Sequence, residues 1–155
     1  KEPLKSTDIE TSIYPGFMTD WQGPWSILMT QADGVSIIHE TVYENRFGYV
    51  KELKKMGADI SLFNPKVEVP SKIYNFNLRD DSLDYYHGLK VYGPTKLHNA
   101  VVEISDLRAG ATLVLAALIA PLQSVVFGVE HLDRGYEKFE ERLRSLGARI
   151  KRVRN

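Results

Sequence analysis

Hydrophobic residues in the first half of the chain follow two spacings, one typical of strands and one typical of helices. Short runs that alternate or are rich in β-branched residues predict strands at residues 8–13, 35–40 and 60–63. Apolar residues three or four positions apart predict helices between them, at residues 21–32 and 50–56. We place Pro24 in the first turn of the first helix, where proline is tolerated, Gly57 at the end of the second, and Trp21 and Trp25 in the core.

The second half of the chain repeats this order. Strands are predicted at residues 101–104, 124–129 and 149–153, with helices at 106–120 and 136–146, the first of them apolar on nearly every side and therefore buried. Equivalent residues of the two copies lie 86, 88 and 90 positions apart in the pairs Asp20/Asp106, Arg46/Arg134 and Gly57/Gly147. Repetition of this kind defines a structural unit and places equivalent charged residues at matching corners.

An interruption at about residues 64–86 separates the two copies, and one strand is predicted inside it at residues 73–77. The whole pattern indicates two strand-helix-strand-helix-strand-strand (βαβαββ) units, about 1–88 and 89–155. We therefore predict a mixed α/β (α+β) fold over residues 1–155, with helices packed against sheets.

Composition limits the classes of partner that this chain is expected to bind. Lys+Arg and Asp+Glu number 20 each, so charge gives no indication of binding to nucleic acid or to an anionic membrane. The longest apolar stretch, residues 113–121, is far shorter than the roughly 20 residues that span a bilayer. The chain contains no Cys, and residues 1–10 are too polar for a signal peptide. We expect a globular, cytoplasmic protein.

Two aspartates are candidates for chemistry. Asp106 directly precedes the apolar helix, and its simplest interpretation is an N-cap that accepts backbone N–H groups. If Pro24 places the start of the first helix near Gly23, Asp20 lies before that helix with a free carboxylate. Such a carboxylate is able to act as a general base.

Two arginines follow strands at equivalent positions. Arg46 and Arg134 could form surface ion pairs, for example with Glu44 and Asp133, and would then contribute little. Alternatively, they bind an anion, because a guanidinium holds carboxylate or phosphate through two hydrogen bonds. The duplication favours anion binding, and Arg108 could join them.

No metal or cofactor is expected. The chain contains neither a Gly-rich phosphate loop nor a Ser-His-Asp order. Its four histidines are far apart and lack the spacing of metal ligands, so we interpret them as surface or hydrogen-bonded residues: His39, His87, His98 and His131.

Five segments in the right order resemble the enolpyruvyltransferases, and closely the UDP-N-acetylglucosamine 1-carboxyvinyltransferase branch of that family. Together with the Gly-Ala helix ends, they cover nearly the whole chain outside residues 64–86. The segments are residues 14–20 (YPGFMTD), 40–47 (ETVYENRF), 93–98 (GPTKLH), 105–111 (SDLRAGA) and 131–136 (HLDRGY).

The resemblance implies a fold and a reaction. The family has two domains, each built from three βαβαββ units around buried helices, with the active site between the domains. The chain looks like two units of the C-terminal domain. The branch transfers enolpyruvate from phosphoenolpyruvate to the 3-hydroxyl of UDP-N-acetylglucosamine and releases phosphate, in the first committed step of peptidoglycan synthesis.

The resemblance also implies roles for particular residues. Asp20 matches the residue proposed to deprotonate the acceptor hydroxyl, and Thr19 beside it is counted as substrate-binding. Arg46 and Arg134 match arginines that hold the carboxylate and phosphate of phosphoenolpyruvate. Val42 matches a residue lining the nucleotide-sugar site. The family also has a cleft-facing Asp-Leu-Arg sequence, whose Asp takes part in proton handling and which corresponds here to Asp106 and Arg108.

The chain departs from the family pattern in ways that affect the expected activity. Met18 replaces a usual Pro, Pro24 is shifted by one position, and residues 64–86 form a longer connection than usual. The N-terminal half, with its proton-donor loop, is absent, so we expect the isolated chain to be inactive and to associate through an uncovered apolar face. The alternatives are a fragment of the shikimate-3-phosphate enzyme and a noncatalytic module that binds nucleotide sugars or anions.

Overall fold

A computed structural model describes residues 2–153. It contains six strands and six helices, which confirms the mixed α/β class. In chain order they are β1 (Ile9–Glu10), α1 (Thr19–Met29), β2 (Gly34–His39), α2 (Val50–Lys55), β3 (Ile60–Phe63), α3 (Pro70–Ile73), β4 (Gly88–Gly93), β5 (Val101–Glu103), α4 (Leu107–Ile119), β6 (Val125–Phe127), α5 (Glu130–Asp133) and α6 (Phe139–Ser145).

The first four strands form one sheet in the order β1-β2-β4-β3, and we take the first unit as residues 1–93. The β1 and β2 strands are parallel, whereas β4 is antiparallel to both β2 and β3. Along β4, the buried Leu89 and Val91 alternate with the more exposed Lys90 and Tyr92. The β4 strand was not predicted, and it begins where the two units were expected to meet. The positive φ of Gly57 confirms the predicted end of α2.

The second unit contains fewer strands than predicted. Its sheet consists of the parallel pair β5–β6, and the strand predicted at residues 149–153 is absent from the described chain. In the first unit, β3 pairs only with β4, and no described strand has the position of β4 in the second sheet. Residues 149–153 therefore lack a pairing partner. Arg152 instead bonds to Asp133 (2.7 Å) and Glu140 (3.3 Å).

The interruption between the units is an irregular excursion with one short helix, so the strand predicted at residues 73–77 is wrong. Pro70 occupies the start of α3, where its fixed φ favours a helical turn. After α3, Tyr74 and Phe76 pack against the ring of His87. The backbone N–H of Asn75 donates to the carbonyl of Thr41 (2.7 Å), which anchors the excursion at the end of β2.

The two units meet where α1 packs against α4. The α4 helix is buried over most of its length, as predicted, and Thr112 on it faces Gly23 on α1. The α1 helix begins at Thr19, four residues earlier than its proline suggested, so Pro24 lies inside the helix rather than in its first turn. Trp25 packs against the core, but Trp21 is 56% exposed, contrary to our prediction.

A buried glutamate also joins the units. Glu52 on α2 is 2% exposed and accepts hydrogen bonds from Lys55 Nζ (2.9 Å) and from the backbone N–H of Glu103 on β5 (3.2 Å). Burial by itself raises the pKa of Glu52. These hydrogen bonds, with the charges of Lys55 and Lys51, outweigh burial and place the pKa below its ordinary value.

This lowered pKa predicts a loss of stability in acid. A carboxyl group whose pKa is lower in the folded protein stabilises the fold above its unfolded pKa, about 4.3, and this contribution disappears as the pH falls through the folded pKa. Denaturant unfolding at pH 6, 4 and 3 should show a smaller loss in Glu52→Gln than in the wild type. The matched control, Glu103→Gln, keeps the backbone donor and should behave like the wild type. Equal losses in Glu52→Gln and the wild type would contradict the assignment.

Candidate active site

The loop after β2 and the start of α4 line one cavity, and the first turn of α1 contacts both through the Thr19–Arg46 and Asp20–Arg108 hydrogen bonds. The cavity has a volume of about 230 Å³. Its lining comes from both units and consists of Tyr43, Asn45, Arg46, Asp106, Leu107 and Arg108. The cavity thus contains one member of each equivalent pair, Arg46 from the first unit and Asp106 from the second.

Asp20 and Arg108 form an ion pair between the units. Arg108 Nε donates to Asp20 Oδ1 at 2.8 Å. Both side chains remain about half exposed, so the pair contributes little to stability but leaves the carboxylate accessible. The hydrogen bond with Asp20 raises the pKa of Arg108. Asp20 lies within the first turn of α1 rather than before the helix, which corrects our prediction.

Asp106 is the N-cap of α4, as its position indicated. Its Oδ1 accepts the backbone N–H groups of Arg108 (2.9 Å) and Ala109 (3.0 Å). Asp106 Oδ2 lies 3.4 Å from the hydroxyl of Ser105. One carboxylate oxygen therefore orients the helix that carries Arg108, and the side chain also lines the cavity.

Arg46 contacts Thr19 and Tyr43, neither of which carries a negative charge. Its Nε donates to Thr19 Oγ1 (3.2 Å), and its guanidinium carbon lies 4.1 Å from the centre of the Tyr43 ring. No carboxylate in residues 2–153 forms an ion pair with it, so the suggested pair with Glu44 is absent. A fixed, uncompensated guanidinium beside a polar cavity is suited to binding an anion.

Glu40 is a buried residue next to the cavity-lining loop that our sequence analysis did not single out. It is fully buried, and its Oε2 accepts the hydroxyl proton of Thr19 (2.8 Å). Its Oε1 accepts the backbone N–H groups of Val42 (2.9 Å) and Tyr43 (3.0 Å). The available signal was a carboxylate placed directly after an apolar strand, inside the ETVYENRF segment.

Arg134 is not part of the cavity lining. It is exposed and ends α5, and the neighbouring Gly135 packs closely against Leu107. The suggested Asp133–Arg134 pair is absent, because Asp133 bonds to Arg152 through two hydrogen bonds of 2.7 and 3.1 Å. The hydrogen bonds from Arg152 lower the pKa of Asp133.

Within residues 2–153, no group of three or more His, Cys, Asp or Glu side chains is placed to hold a metal ion. None of the helices there is long and apolar enough to cross a membrane. As predicted, several histidines are hydrogen-bonded: His39 to Glu10, His87 to Asp81 and His98 to the carbonyl of Asn99.

Comparison with known families bears on these residues. The family model for EPSP synthase (3-phosphoshikimate 1-carboxyvinyltransferase) matches residues 1–143. The chain belongs to this family. The match confirms the resemblance seen in the five sequence segments, and it includes every residue of the candidate site.

Individual relatives are similar over almost the whole chain. UDP-N-acetylglucosamine 1-carboxyvinyltransferase 2 of Symbiobacterium thermophilum is 44% identical over 153 residues, which are 99% of this chain and 31% of that protein. UDP-N-acetylglucosamine 1-carboxyvinyltransferase of Protochlamydia amoebophila is 45% identical over 145 residues, or 94% of this chain and 30% of that protein. The chain spans about a third of the length of the curated relatives it matches.

A solved structure supports the fold. The enolpyruvyl transferase NikO from Streptomyces tendae superimposes with a TM-score of 0.77 and is 29% identical in sequence. The superposition covers 97% of this chain and 30% of NikO. The curated relatives named above are carboxyvinyltransferases, so the family is a family of enzymes.

Proposed function

We propose that this chain forms one wall of an active site that transfers enolpyruvate from phosphoenolpyruvate to the 3-hydroxyl of UDP-N-acetylglucosamine and releases phosphate. The observation that carries the proposal is the Asp20–Arg108 pair, 2.8 Å long, beside a cavity that also contains Arg46 and Asp106. The names of the relatives at 44–45% identity support the choice of substrates.

In the proposed reaction, Asp20 removes the proton of the acceptor hydroxyl. Its carboxylate is half exposed, so a substrate hydroxyl is able to reach it, and Arg108 holds it in place. Proton removal makes the hydroxyl oxygen a stronger nucleophile. This oxygen attacks C2 of phosphoenolpyruvate, the carbon that carries the phosphate. Asp106 takes part in proton handling, with one oxygen engaged in capping α4.

The arginines bind the anionic donor in this proposal. Arg46 reaches the cavity with an unpaired guanidinium, and Arg134 directly precedes Gly135, which lies close to Leu107 in the cavity lining. Positive groups fixed before the reaction stabilise the charge of carboxylate and phosphate without reorganisation. Val42 and Thr19 form the adjacent contact surface for the nucleotide sugar.

The remaining two-thirds of a family member would supply the rest of the site. We propose that this chain corresponds to two units of the C-terminal domain and that its partner is the N-terminal half, which carries the general acid. The chain alone should then be inactive, because the proton donor and much of the anion clamp lie elsewhere.

The proposal is tested with a chimera in which this chain replaces the segment that it matches in the Symbiobacterium thermophilum relative. The chimera is incubated with phosphoenolpyruvate and either UDP-N-acetylglucosamine or shikimate 3-phosphate, and the product is identified by mass spectrometry. We expect enolpyruvyl-UDP-N-acetylglucosamine and no enolpyruvyl-shikimate 3-phosphate.

Either of two other results would contradict this function and indicate a different one. Product only from shikimate 3-phosphate would assign the chain to the other acceptor, the one that the description of the family model names. Binding of UDP-N-acetylglucosamine by a correctly folded chimera, without any product, would indicate a noncatalytic nucleotide-sugar module.

We also propose that the isolated chain associates with a second copy through an apolar face on α1. This face surrounds a shallow cavity of about 360 Å³ lined by Phe17, Trp21, Pro24, Trp25 and Leu28. An exposed apolar patch of this kind promotes association. Sedimentation velocity should show dimers or larger species that Trp21→Arg reduces and that the control Leu83→Arg, at a fully exposed position elsewhere, does not. A clean monomer at high concentration would contradict this.

A further inference from the structure

Glu40 occupies an unusual position for a carboxylate. It is fully buried at the end of β2, where an unsatisfied charge would be strongly destabilising. Three donors satisfy it: one hydroxyl from α1 and two backbone amides from the loop after β2. A single side chain therefore joins the two segments of the first unit that face the cavity.

The hydrogen-bond chain through Thr19 has only one possible direction. Arg46 Nε is always a donor, and the oxygens of an ionised Glu40 are only acceptors. The Thr19 hydroxyl must therefore donate its single proton to Glu40 Oε2 (2.8 Å) and accept from Arg46 Nε (3.2 Å). The hydrogen bond to Glu40 Oε2 thus fixes the orientation of Thr19, and Thr19 fixes the Nε side of the Arg46 guanidinium.

The turn that carries Glu40 is itself anchored. The next residue, Thr41, bonds to Thr11 through its backbone N–H (2.8 Å) and its hydroxyl (2.6 Å), and its carbonyl accepts the N–H of Asn75 (2.7 Å). Thr11, which directly follows β1, and Asn75 in the excursion therefore anchor the residue next to Glu40. A carboxylate held this firmly is able to position other groups.

We propose that Glu40 is a positioning residue of the enolpyruvyl-transfer site. It does not touch substrate. It holds the first turn of α1, which contains Asp20, at a fixed distance from Arg46, and its other oxygen holds the Val42–Tyr43 turn. The catalytic part of this inference rests on the proposed function; the hydrogen-bond chain itself does not.

Substitutions separate the charge of Glu40 from its size. In Glu40→Gln, one oxygen becomes an NH₂ group, so either the Thr19 hydroxyl or the backbone amides lose their acceptor. Thr19→Val removes the hydroxyl at nearly constant volume, whereas Thr19→Ser keeps it. Glu44→Gln is the matched control, because Glu44 lies in the same loop and has no hydrogen-bond partner among residues 2–153.

The first readout does not depend on activity. In the ¹⁵N-labelled chain, solvent exchange of the Arg46 Nε proton is measured by NMR. Loss of a hydrogen bond to this charged group should make exchange about tenfold faster in Thr19→Val, and exchange in Glu40→Gln should lie between that of Thr19→Val and that of the wild type. Thr19→Ser and Glu44→Gln should match the wild type. Wild-type exchange in Thr19→Val, whether or not Glu40→Gln folds, would overturn the hydrogen-bond chain.

The second readout is the KM for phosphoenolpyruvate in the chimera. Glu40→Gln and Thr19→Val should each raise it about tenfold, and the double variant should be no worse than either, because both break the same chain. Thr19→Ser, which keeps the hydroxyl, should raise the KM for phosphoenolpyruvate less than Thr19→Val does. An active wild-type chimera with unchanged KM in both variants would overturn the positioning role. An inactive wild-type chimera would contradict the proposed function, while the exchange measurement would still decide the hydrogen-bond chain.

Discussion

Replacing Asp20 with Ala should lower the kcat of the chimera by about 10²–10⁴-fold, the range typical of losing a general base. Asp20→Asn should cause a loss of similar size, although it still presents an oxygen to Arg108. The KM for both substrates should change much less, because the carboxylate acts on the proton that moves in the transition state. Steady-state phosphate release measures both parameters.

A matched control distinguishes this role from a structural one. Asp59→Asn removes an exposed carboxylate away from the cavity lining and should leave kcat unchanged. The half-exposed Asp20–Arg108 pair contributes at most about 1 kcal/mol to stability, so the variants should unfold near the wild-type temperature. Wild-type kcat in Asp20→Asn would make Asp20 only the partner that orients Arg108.

Gly23→Ala should produce the largest loss of stability among single-methyl changes at the contact between the units. A Cβ at Gly23 would overlap Thr112 Oγ1 on α4, so the two helices would have to separate. Overpacking of this kind costs about 1–3 kcal/mol of the free energy of unfolding. Because α1 carries Asp20 and α4 carries Arg108, the same shift should lengthen their ion pair.

Two further variants test that explanation by chemical denaturation. Gly48→Ala places a methyl group no closer than 3.7 Å to other atoms and should be nearly neutral. The double variant Gly23→Ala/Thr112→Ala removes the overlapping oxygen and should recover part of the stability. A neutral Gly23→Ala variant would mean that α1 and α4 are less closely packed than described.

The elements that the sequence predicted well are those with strong local patterns. The strands at β2 and β3 and the buried α4 follow from β-branched runs and from a long apolar helix. The start of α1 differs from the prediction, which rested on Pro24. The helix begins earlier, at Thr19, because tertiary packing overrides this local preference.

The other wrong predictions concern strands, which need hydrogen-bonding partners that are distant in sequence. Residues 149–153 have a strand pattern, but a strand needs a neighbour, and the second sheet has none in the position of β4. Residues 73–77 are rich in aromatic side chains that pack against His87 instead of forming a ladder. Local sequence carries little information about which partner a segment meets.

In the candidate site, too, local interactions were predicted from the sequence and long-range interactions were not. Capping by Asp106 is a local interaction and was predicted, whereas the Asp20–Arg108 pair joins residues 88 positions apart and depends on how the units pack. The repeat placed Arg46 and Arg134 at equivalent corners, but only Arg46 lines the cavity. Glu40 was missed because its role is set by donors from two separate segments.

The most direct test of the central claim is phosphate release by two separately purified parts: this chain, and the remaining two-thirds of the Symbiobacterium thermophilum relative. Each part is assayed alone and then mixed, with phosphoenolpyruvate and UDP-N-acetylglucosamine present. If this chain supplies one wall of the site, neither part releases phosphate alone and the mixture does. Phosphate release by the chain alone, or none from a mixture shown by sedimentation to have assembled, would contradict a site divided in this way.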